Sequence, residues 1–124
     1  MAKISVLVDT DIVIDYFNTG RFSALFDSPR FIVYYSTVTK KELLTKPGLR
    51  ETEREAIEAE LRRCRLVPIS EAIASRYSHL RHRYSSLDKG DALIAATALV
   101  KRLPLLTRNK RHYRMVQGID LFGE

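Results

Sequence analysis

Short apolar segments alternate along the chain with longer segments in which apolar residues recur at helical spacing. Short runs rich in Val, Ile and Leu are typical of strands, and they predict strands at residues 3–8, 31–35, 66–69 and 103–106, with a fifth candidate at 119–122. The intervening periodicity predicts helices at residues 10–18, 22–26, 39–46, 51–65, 71–84 and 88–102. The last of these is almost entirely apolar, so we expect it to be buried on most sides.

The order of these elements indicates the fold class. Strands that alternate with helices form right-handed crossovers between parallel strands. The predicted strands are continuously apolar rather than alternating, which favours a sheet covered on both faces. We therefore predict an α/β fold with three αβα layers and a mainly parallel central sheet of four to five strands. A chain of 124 residues without an evident linker is expected to form a single domain, residues 1–124.

The composition narrows the cellular context. The longest apolar run, residues 92–100, is about half of the roughly 20 residues that a membrane-spanning helix needs. The first residues lack the layout of a signal peptide, and Cys64 is the only cysteine, so no internal disulfide can form. We therefore expect a cytoplasmic protein in a reducing compartment, with no membrane partner.

The positive charge is unevenly distributed. The net charge is +6, and residues 92–119 contain no Asp or Glu. The same window carries the basic residues Lys101, Arg102, Arg108, Lys110, Arg111 and Arg114. A one-sided basic surface suits a polyanionic partner such as nucleic acid. The alternative, a solvated surface without a partner, stays open on charge alone.

Acidic residues follow or lie near the carboxyl ends of the predicted strands. Asp9 ends the first strand, Glu42 lies early in the helix after the second, and Asp91 opens the apolar helix. Ligands of open parallel sheets bind outside these strand ends. Taken alone, Asp9 and Asp91 could be helix caps and Glu42 could complete a capping box. Two carboxylates about 4 Å apart, however, repel by roughly 4 kcal/mol at an effective dielectric constant of 20. Together they predict a bound cation or shared protons.

The donor types favour a hard divalent ion. No His residue has a zinc-ligand spacing with Cys64, whereas an all-oxygen set of Asp and Glu suits Mg²⁺ or Mn²⁺. Such an ion can activate a water molecule and neutralise a phosphodiester. With the basic surface nearby, the expected substrate is a nucleic acid.

The chain as a whole resembles a PIN domain, and in particular the VapC-type toxin ribonucleases of toxin–antitoxin pairs. The resemblance is carried by VLVDTDIVIDYF, TKKELL, GDALIAATAL and LPLLTRNKRHYRMVQGIDL, segments distributed between residues 6 and 121, so it covers essentially the whole length of the chain. It implies metal-dependent endoribonuclease activity with Mg²⁺ or Mn²⁺, a homodimer, and inhibition by a cognate antitoxin. The antitoxin's C-terminal segment would enter the site, in a groove that helix 51–65 helps to form.

The resemblance also assigns individual residues. It implies that Asp9, Glu42 and Asp91 bind the metal and that Asn109 completes the catalytic set. Asn109 stands where the family often has an acid, and it brings no negative charge, so a second metal site is left open. Asp11 and Asp88 are further candidates. The expected substrate-binding residues are Thr10, Thr107, Arg108, Lys110 and Arg111. The basic side chains among them are expected to contact backbone phosphates.

Two other functions compete with this one. The Asp9-Thr10-Asp11 segment after a strand also resembles the haloacid-dehalogenase phosphatases, in which the first Asp is a nucleophile, but Val13 stands where those enzymes have Thr. The third possibility is an inactive RNA- or partner-binding module, which Asn109 favours. His112 and Tyr113 could stack on a base, although we assign them to core packing or capping.

Overall fold

The sheet is parallel, and its first strand lies in the interior of the sheet, paired on both sides. The computed structural model describes residues 2–123. Within that range the strands are β1 (Ile4–Val8), β2 (Phe31–Ser36), β3 (Arg65–Val67) and β4 (Leu105–Leu106), in the order β3-β2-β1-β4. Each pairing is parallel. The carboxyl ends of all four strands therefore meet at one edge of the sheet.

Helices cover both faces of this sheet. They are α1 (Thr10–Thr19), α2 (Ser23–Phe26), α3 (Thr37–Leu44), α4 (Glu51–Arg63), α5 (Glu71–Arg83), α6 (Lys89–Lys101) and α7 (Lys110–Tyr113). The alternation of side chains along β1 separates two cores, because Leu7 packs with residues of α5 and α6, while Val6 and Val8 pack with residues of α1, α2 and α4. The predicted three-layer α/β fold is confirmed. No helix within residues 2–123 combines the length and apolarity of a membrane span.

Helix α6 is buried because its inward positions are small. Its alanines at 92, 95, 96 and 98 are at most 3% exposed, and the helix packs closely along α5. Asp88 caps its start by accepting a hydrogen bond from the Asp91 backbone N–H at 2.8 Å. The predicted burial of this helix is confirmed, and its first turn projects toward the carboxyl ends of the strands.

Two predicted local features differ from the structure. Residues 119–122 do not form a fifth strand, because only an isolated bridge joins Leu121 to Leu105 between positive-φ glycines at 118 and 123. The helix predicted to begin at Thr39 begins at Thr37, because Ser36 is the cap and its Oγ accepts a hydrogen bond from the Thr39 N–H at 3.2 Å. Thr39 is therefore inside the helix, with its side chain free to face the interior.

Candidate active site

A cleft of about 250 Å³ opens at the carboxyl edge of the sheet. Its lining comes from the β1–α1 junction, α3, the first turn of α6 and the segment after β4, and it includes Asp9, Thr10, Asp11, Glu42, Asp88, Asp91 and Asn109. A larger groove of about 770 Å³ lies along α5 and the end of α6, and among residues 2–123 no Asp or Glu lines it. The smaller cleft is the one that brings together the three predicted metal-binding acids, Asp9, Glu42 and Asp91.

Asp9 lines the cleft, is 6% exposed, and accepts hydrogen bonds through both of its carboxylate oxygens. Its Oδ1 accepts a hydrogen bond from the Thr10 N–H at 2.8 Å, which makes it the cap of α1. Its Oδ2 accepts hydrogen bonds from Thr107 Oγ1 at 2.8 Å and the Tyr113 hydroxyl at 3.1 Å. Burial raises the pKa of Asp9, these hydrogen bonds lower it, and the nearby Asp91 charge raises it further.

Glu42 is held by a chain of hydroxyl groups. Thr10 Oγ1 donates to Glu42 Oε1 at 2.9 Å, so its single proton is used there and Thr39 Oγ1 must donate to Thr10 across 2.9 Å. Ser36 Oγ in turn donates to Thr39 at 3.4 Å. Every donor in this chain is directed toward Glu42, an arrangement in which successive hydrogen bonds strengthen one another.

Asp91 faces Asp9 across the cleft floor. Its Oδ1 accepts a hydrogen bond from the Tyr113 hydroxyl at 3.0 Å, and its Oδ2 lies 3.3 Å from His112 Nδ1. Asp88 lines the same cleft while one of its oxygens caps α6. The structure thus brings Asp9, Glu42 and Asp91 to one cleft from three different elements, as expected.

Asn109 and Asp11 are bonded to each other on the cleft wall. Asp11 Oδ2 accepts hydrogen bonds from Asn109 Nδ2 and from the Arg108 N–H, each at 3.2 Å. Asp11 Oδ1 is buried and has no hydrogen-bond partner within residues 2–123. Burial, followed by the charge of Asp9, raises the pKa of Asp11 to about 6. Asp11 is therefore a further acid of this cleft, and the Asn109 amide nitrogen is committed to it.

The predicted basic residues lie outside the cleft lining. Arg108 Nη1 forms an ion pair with Asp15 Oδ1 at 2.9 Å, while Lys110 and Arg111 belong to α7 and do not line the cleft. Thr107 lies beneath the cleft, 3% exposed, with its hydroxyl on Asp9. Binding of substrate by these residues stays a prediction.

Sequence reasoning missed the polar contacts of two buried residues. The sequence predicts core packing or capping for Tyr113, and its ring is fully buried, yet its hydroxyl contacts two site carboxylates. A buried Tyr usually has a partner for its hydroxyl, so a Tyr rather than a Phe in this apolar setting was the available signal. The sequence signal for Thr39 was weaker, because the capping pattern at residues 39–42 already explained a threonine at that position.

The donor chemistry of the cleft fits a hard divalent ion. Asp9, Glu42 and Asp91 offer only carboxylate oxygens, which Mg²⁺ and Mn²⁺ prefer. Within residues 2–123, no three His, Cys, Asp or Glu side chains are grouped closely enough to hold an ion as they stand. Hydrogen bonds to Thr10, Thr107 and Tyr113 set the present positions of these acids. An ion held by all three would draw their oxygens together.

Comparisons with known proteins identify relatives over most of the chain. The family model described as PIN domain matches residues 6–117. Ribonuclease VapC1 of Methanocaldococcus jannaschii is 31% identical over 121 residues, an alignment covering 94% of this chain and 84% of that protein. Ribonuclease VapC10 of Mycobacterium tuberculosis is 34% identical over 124 residues, covering 92% and 90% of the two chains.

Solved structures agree in fold. A chain of a toxin–antitoxin complex from Klebsiella pneumoniae superposes with a TM-score of 0.75 at 32% identity, covering 92% of this chain and 94% of that one. A chain of VapBC2 from Rickettsia felis, bound to a promoter DNA fragment, superposes with a TM-score of 0.80 at 18% identity, covering 95% of this chain and 97% of that one. At this low identity the match supports the fold alone. From the family match and the VapC relatives together, the chain belongs to the PIN domain family and, within it, to the VapC group.

Proposed function

We propose that the protein is a divalent-metal-dependent endoribonuclease that acts as the toxin of a toxin–antitoxin pair. The supporting observation is the convergence of Asp9, Glu42 and Asp91 on one cleft at the carboxyl edge of a parallel sheet. Relatives with about one third identity are named ribonucleases. The family match argues against the dehalogenase-type phosphatase, and Val13 is buried at 1% exposure where that class has Thr.

In this proposal Asp9, Glu42 and Asp91 hold one Mg²⁺ or Mn²⁺ ion. When bound, the ion supplies an activated water molecule and neutralises charge on the phosphodiester. The protein's own groups orient the acids: Thr107 and the Thr10 N–H fix Asp9, and the Thr10 hydroxyl fixes Glu42.

RNA is the proposed substrate, held along its phosphates by residues near the cleft. Lys110 and Arg111 lie on α7, directly after the segment that carries Thr107 and Asn109, so they are the predicted phosphate contacts. Such contacts position the substrate without reading its sequence. Asn109 lines the cleft and is predicted to position water or a phosphate oxygen.

The test is cleavage of an RNA panel by the purified protein with Mg²⁺ or Mn²⁺. Asp9→Asn and Asp91→Asn should each lower the rate by at least about 100-fold, since changes outside the metal ligands already cost about 10–100-fold in such sites. Asp120→Asn, at an exposed position outside the cleft lining, is the matched control and should cleave normally. Cleavage that survives a chelator or either site variant would refute the metal assignment.

An apolar groove beside the cleft is the proposed antitoxin site. It measures about 280 Å³ and is lined by Ile14, Phe17, Leu43, Leu49 and Ile57, with Glu42 at its border. Ile14 and Phe17 are 42% and 37% exposed, and a groove of this kind suits the apolar face of a helix. Phe17→Asp should abolish co-purification with the protein encoded by the adjacent gene, whereas Phe31→Leu, on β2, should not.

The protein is further proposed to be a homodimer, as the VapC resemblance implies, and light scattering on the purified chain tests this. An inactive RNA-binding module is the second candidate, favoured by Asn109 at a position where the family often has an acid. RNA binding without metal-dependent turnover would support that candidate instead.

A further inference from the structure

Tyr113 joins two carboxylates that come from opposite sides of the cleft floor. It ends α7, and its side chain is fully buried in the core cluster that contains Ala92 and Leu105. Its hydroxyl oxygen lies 3.1 Å from Asp9 Oδ2 and 3.0 Å from Asp91 Oδ1. One phenolic oxygen therefore contacts the acid that follows β1 and the acid in the first turn of α6.

A phenol has one proton, so it donates to one carboxylate oxygen at a time. Asp9 has other donors, namely the Thr10 N–H and Thr107 Oγ1. Asp91 depends more on the tyrosine, because its remaining side-chain contact is His112 Nδ1 at 3.3 Å. Loss of the Tyr113 hydroxyl would remove the donor to Asp91 Oδ1. It would also remove the one hydroxyl group that contacts both the Asp91 and the Asp9 carboxylates.

We propose that Tyr113 is a positioning residue for the divalent-ion site. Its ring is fixed by core packing, and its hydroxyl, in contact with both carboxylates, keeps Asp9 and Asp91 near each other, so that only a small further movement is needed for both to bind an ion. The inference rests on the proposed metal-dependent function. It differs from a purely structural role because it concerns affinity for the ion rather than stability of the fold.

The experiment compares Mn²⁺ binding by the wild type, Tyr113→Phe and Tyr84→Phe, measured without RNA by the electron paramagnetic resonance signal of free Mn²⁺. Phe keeps the buried ring and removes only the hydroxyl. Groups that orient metal ligands typically contribute about 10–100-fold to metal affinity, so we expect Tyr113→Phe to bind Mn²⁺ about 10–100-fold more weakly. Tyr84→Phe also removes a hydrogen-bonded hydroxyl, the acceptor for the Gln117 N–H at 3.1 Å, and should bind Mn²⁺ normally.

A second readout separates positioning from structure. Cleavage by Tyr113→Phe should recover when Mn²⁺ is raised in proportion to its lost affinity, whereas the Asp91→Asn variant should not recover. Melting temperatures are measured with EDTA for all variants. If Tyr113→Phe is too unstable at 25 °C, all variants are compared in the same sucrose concentration, which strengthens burial in each of them.

Failure of the Tyr113 inference can be distinguished from failure of the proposed metal-dependent function. Unchanged Mn²⁺ affinity in Tyr113→Phe, with or without a lower melting temperature, overturns the inference while leaving a metal-dependent wild type intact. A wild type that binds no Mn²⁺ overturns both. Weaker binding limited to Tyr113→Phe, together with recovery at high Mn²⁺, supports the positioning role.

Discussion

At the scale of single residues, threonine hydroxyl groups orient two of the three proposed metal-binding acids, Asp9 and Glu42. Thr107 donates to Asp9, and Thr10 donates to Glu42 with Thr39 behind it. Threonine suits this role because its methyl group packs in the core while its hydroxyl makes a short, directed hydrogen bond. These residues contact carboxylates rather than reacting groups, so their first measurable effect is on stability and geometry.

We expect Thr107→Val to lower the free energy of unfolding by about 1–3 kcal/mol, because it leaves buried polar groups without a partner. Those groups are Asp9 Oδ2, which keeps only Tyr113, and the Asn109 N–H, which now donates to Thr107 Oγ1 at 3.0 Å. Thr97→Val is the matched control. Thr97 is equally buried, but its hydroxyl bonds to the Leu93 carbonyl, which retains its helical N–H partner. Urea unfolding measures both variants, and equal losses would contradict this account.

Asp11 makes stability depend on pH. Its pKa is raised from 3.8 to about 6, so the folded state holds a proton more tightly than the unfolded state, and ionisation of Asp11 opposes folding. This destabilisation is fully present above about pH 6 and disappears as the pH falls toward 3.8. Asp11→Asn should therefore raise the melting temperature at pH 7.5, in EDTA, and raise it much less at pH 4.5. An equal gain at both pH values would show that the charge of Asp11 is not responsible.

At the scale of elements, the caps of three helices place the acids. Asp9 caps α1, Ser36 caps α3 and Asp88 caps α6. Each cap fixes the direction in which its helix leaves the strand edge, and Glu42 and Asp91 lie within the following turns. The acids therefore point into a shared cleft because the helices start where they do.

Asp88 is the N-cap of α6, which predicts how substitutions of Asp88 affect stability. Asp88→Ala should destabilise the protein by about 0.5–2 kcal/mol, whereas Ser, a good cap, should restore most of that loss. RNA cleavage should be near normal in Asp88→Ser, with melting temperature and rate as the measurements. A stable Asp88→Ser protein without activity would instead identify Asp88 as the acid that compensates for Asn109.

The sequence was informative about elements and less so about their ends and polar contacts. Apolar runs located β1 to β4, and the small residues of α6 predicted its burial, because burial depends on side-chain type and spacing. The cap of α3 was misplaced because Thr39 and Glu42 match a capping pattern that Ser36 satisfies better. The hydrogen bond between Asn109 and Asp11 depends on how the segment after β4 packs against α1. These segments are far apart in the sequence, so no local sequence pattern predicts that contact.

At the scale of the whole molecule, charges of opposite sign are separated along the chain. The net charge is +6, and residues 92–119, which include α7, contain basic residues but no Asp or Glu, so a polyanionic substrate would find its phosphate contacts on this segment. Arg108 is already paired with Asp15, whereas Arg111 is exposed on α7. Arg111 is therefore the better candidate for a phosphate contact.

Arg111→Gln, in the Asp9→Asn background to prevent cleavage, should weaken RNA binding to a similar degree for different sequences. The slope of log affinity against log salt should become shallower by about 0.7, the value for one contact with single-stranded nucleic acid. Arg62→Gln, an exposed arginine on α4, is the control. An unchanged slope for Arg111→Gln would remove this residue from the substrate path.

The parallel sheet delays completion of the site during synthesis. β1 pairs with β4, and Asp9 receives hydrogen bonds from Thr107 and Tyr113, all of which leave the ribosome about a hundred residues after Asp9 does. A nascent chain that has emerged only to residue 104 would have its acids but neither the strand nor the hydroxyl groups that hold Asp9. The cleft therefore reaches its final arrangement only after residues 105–113 have folded against β1 and Asp9.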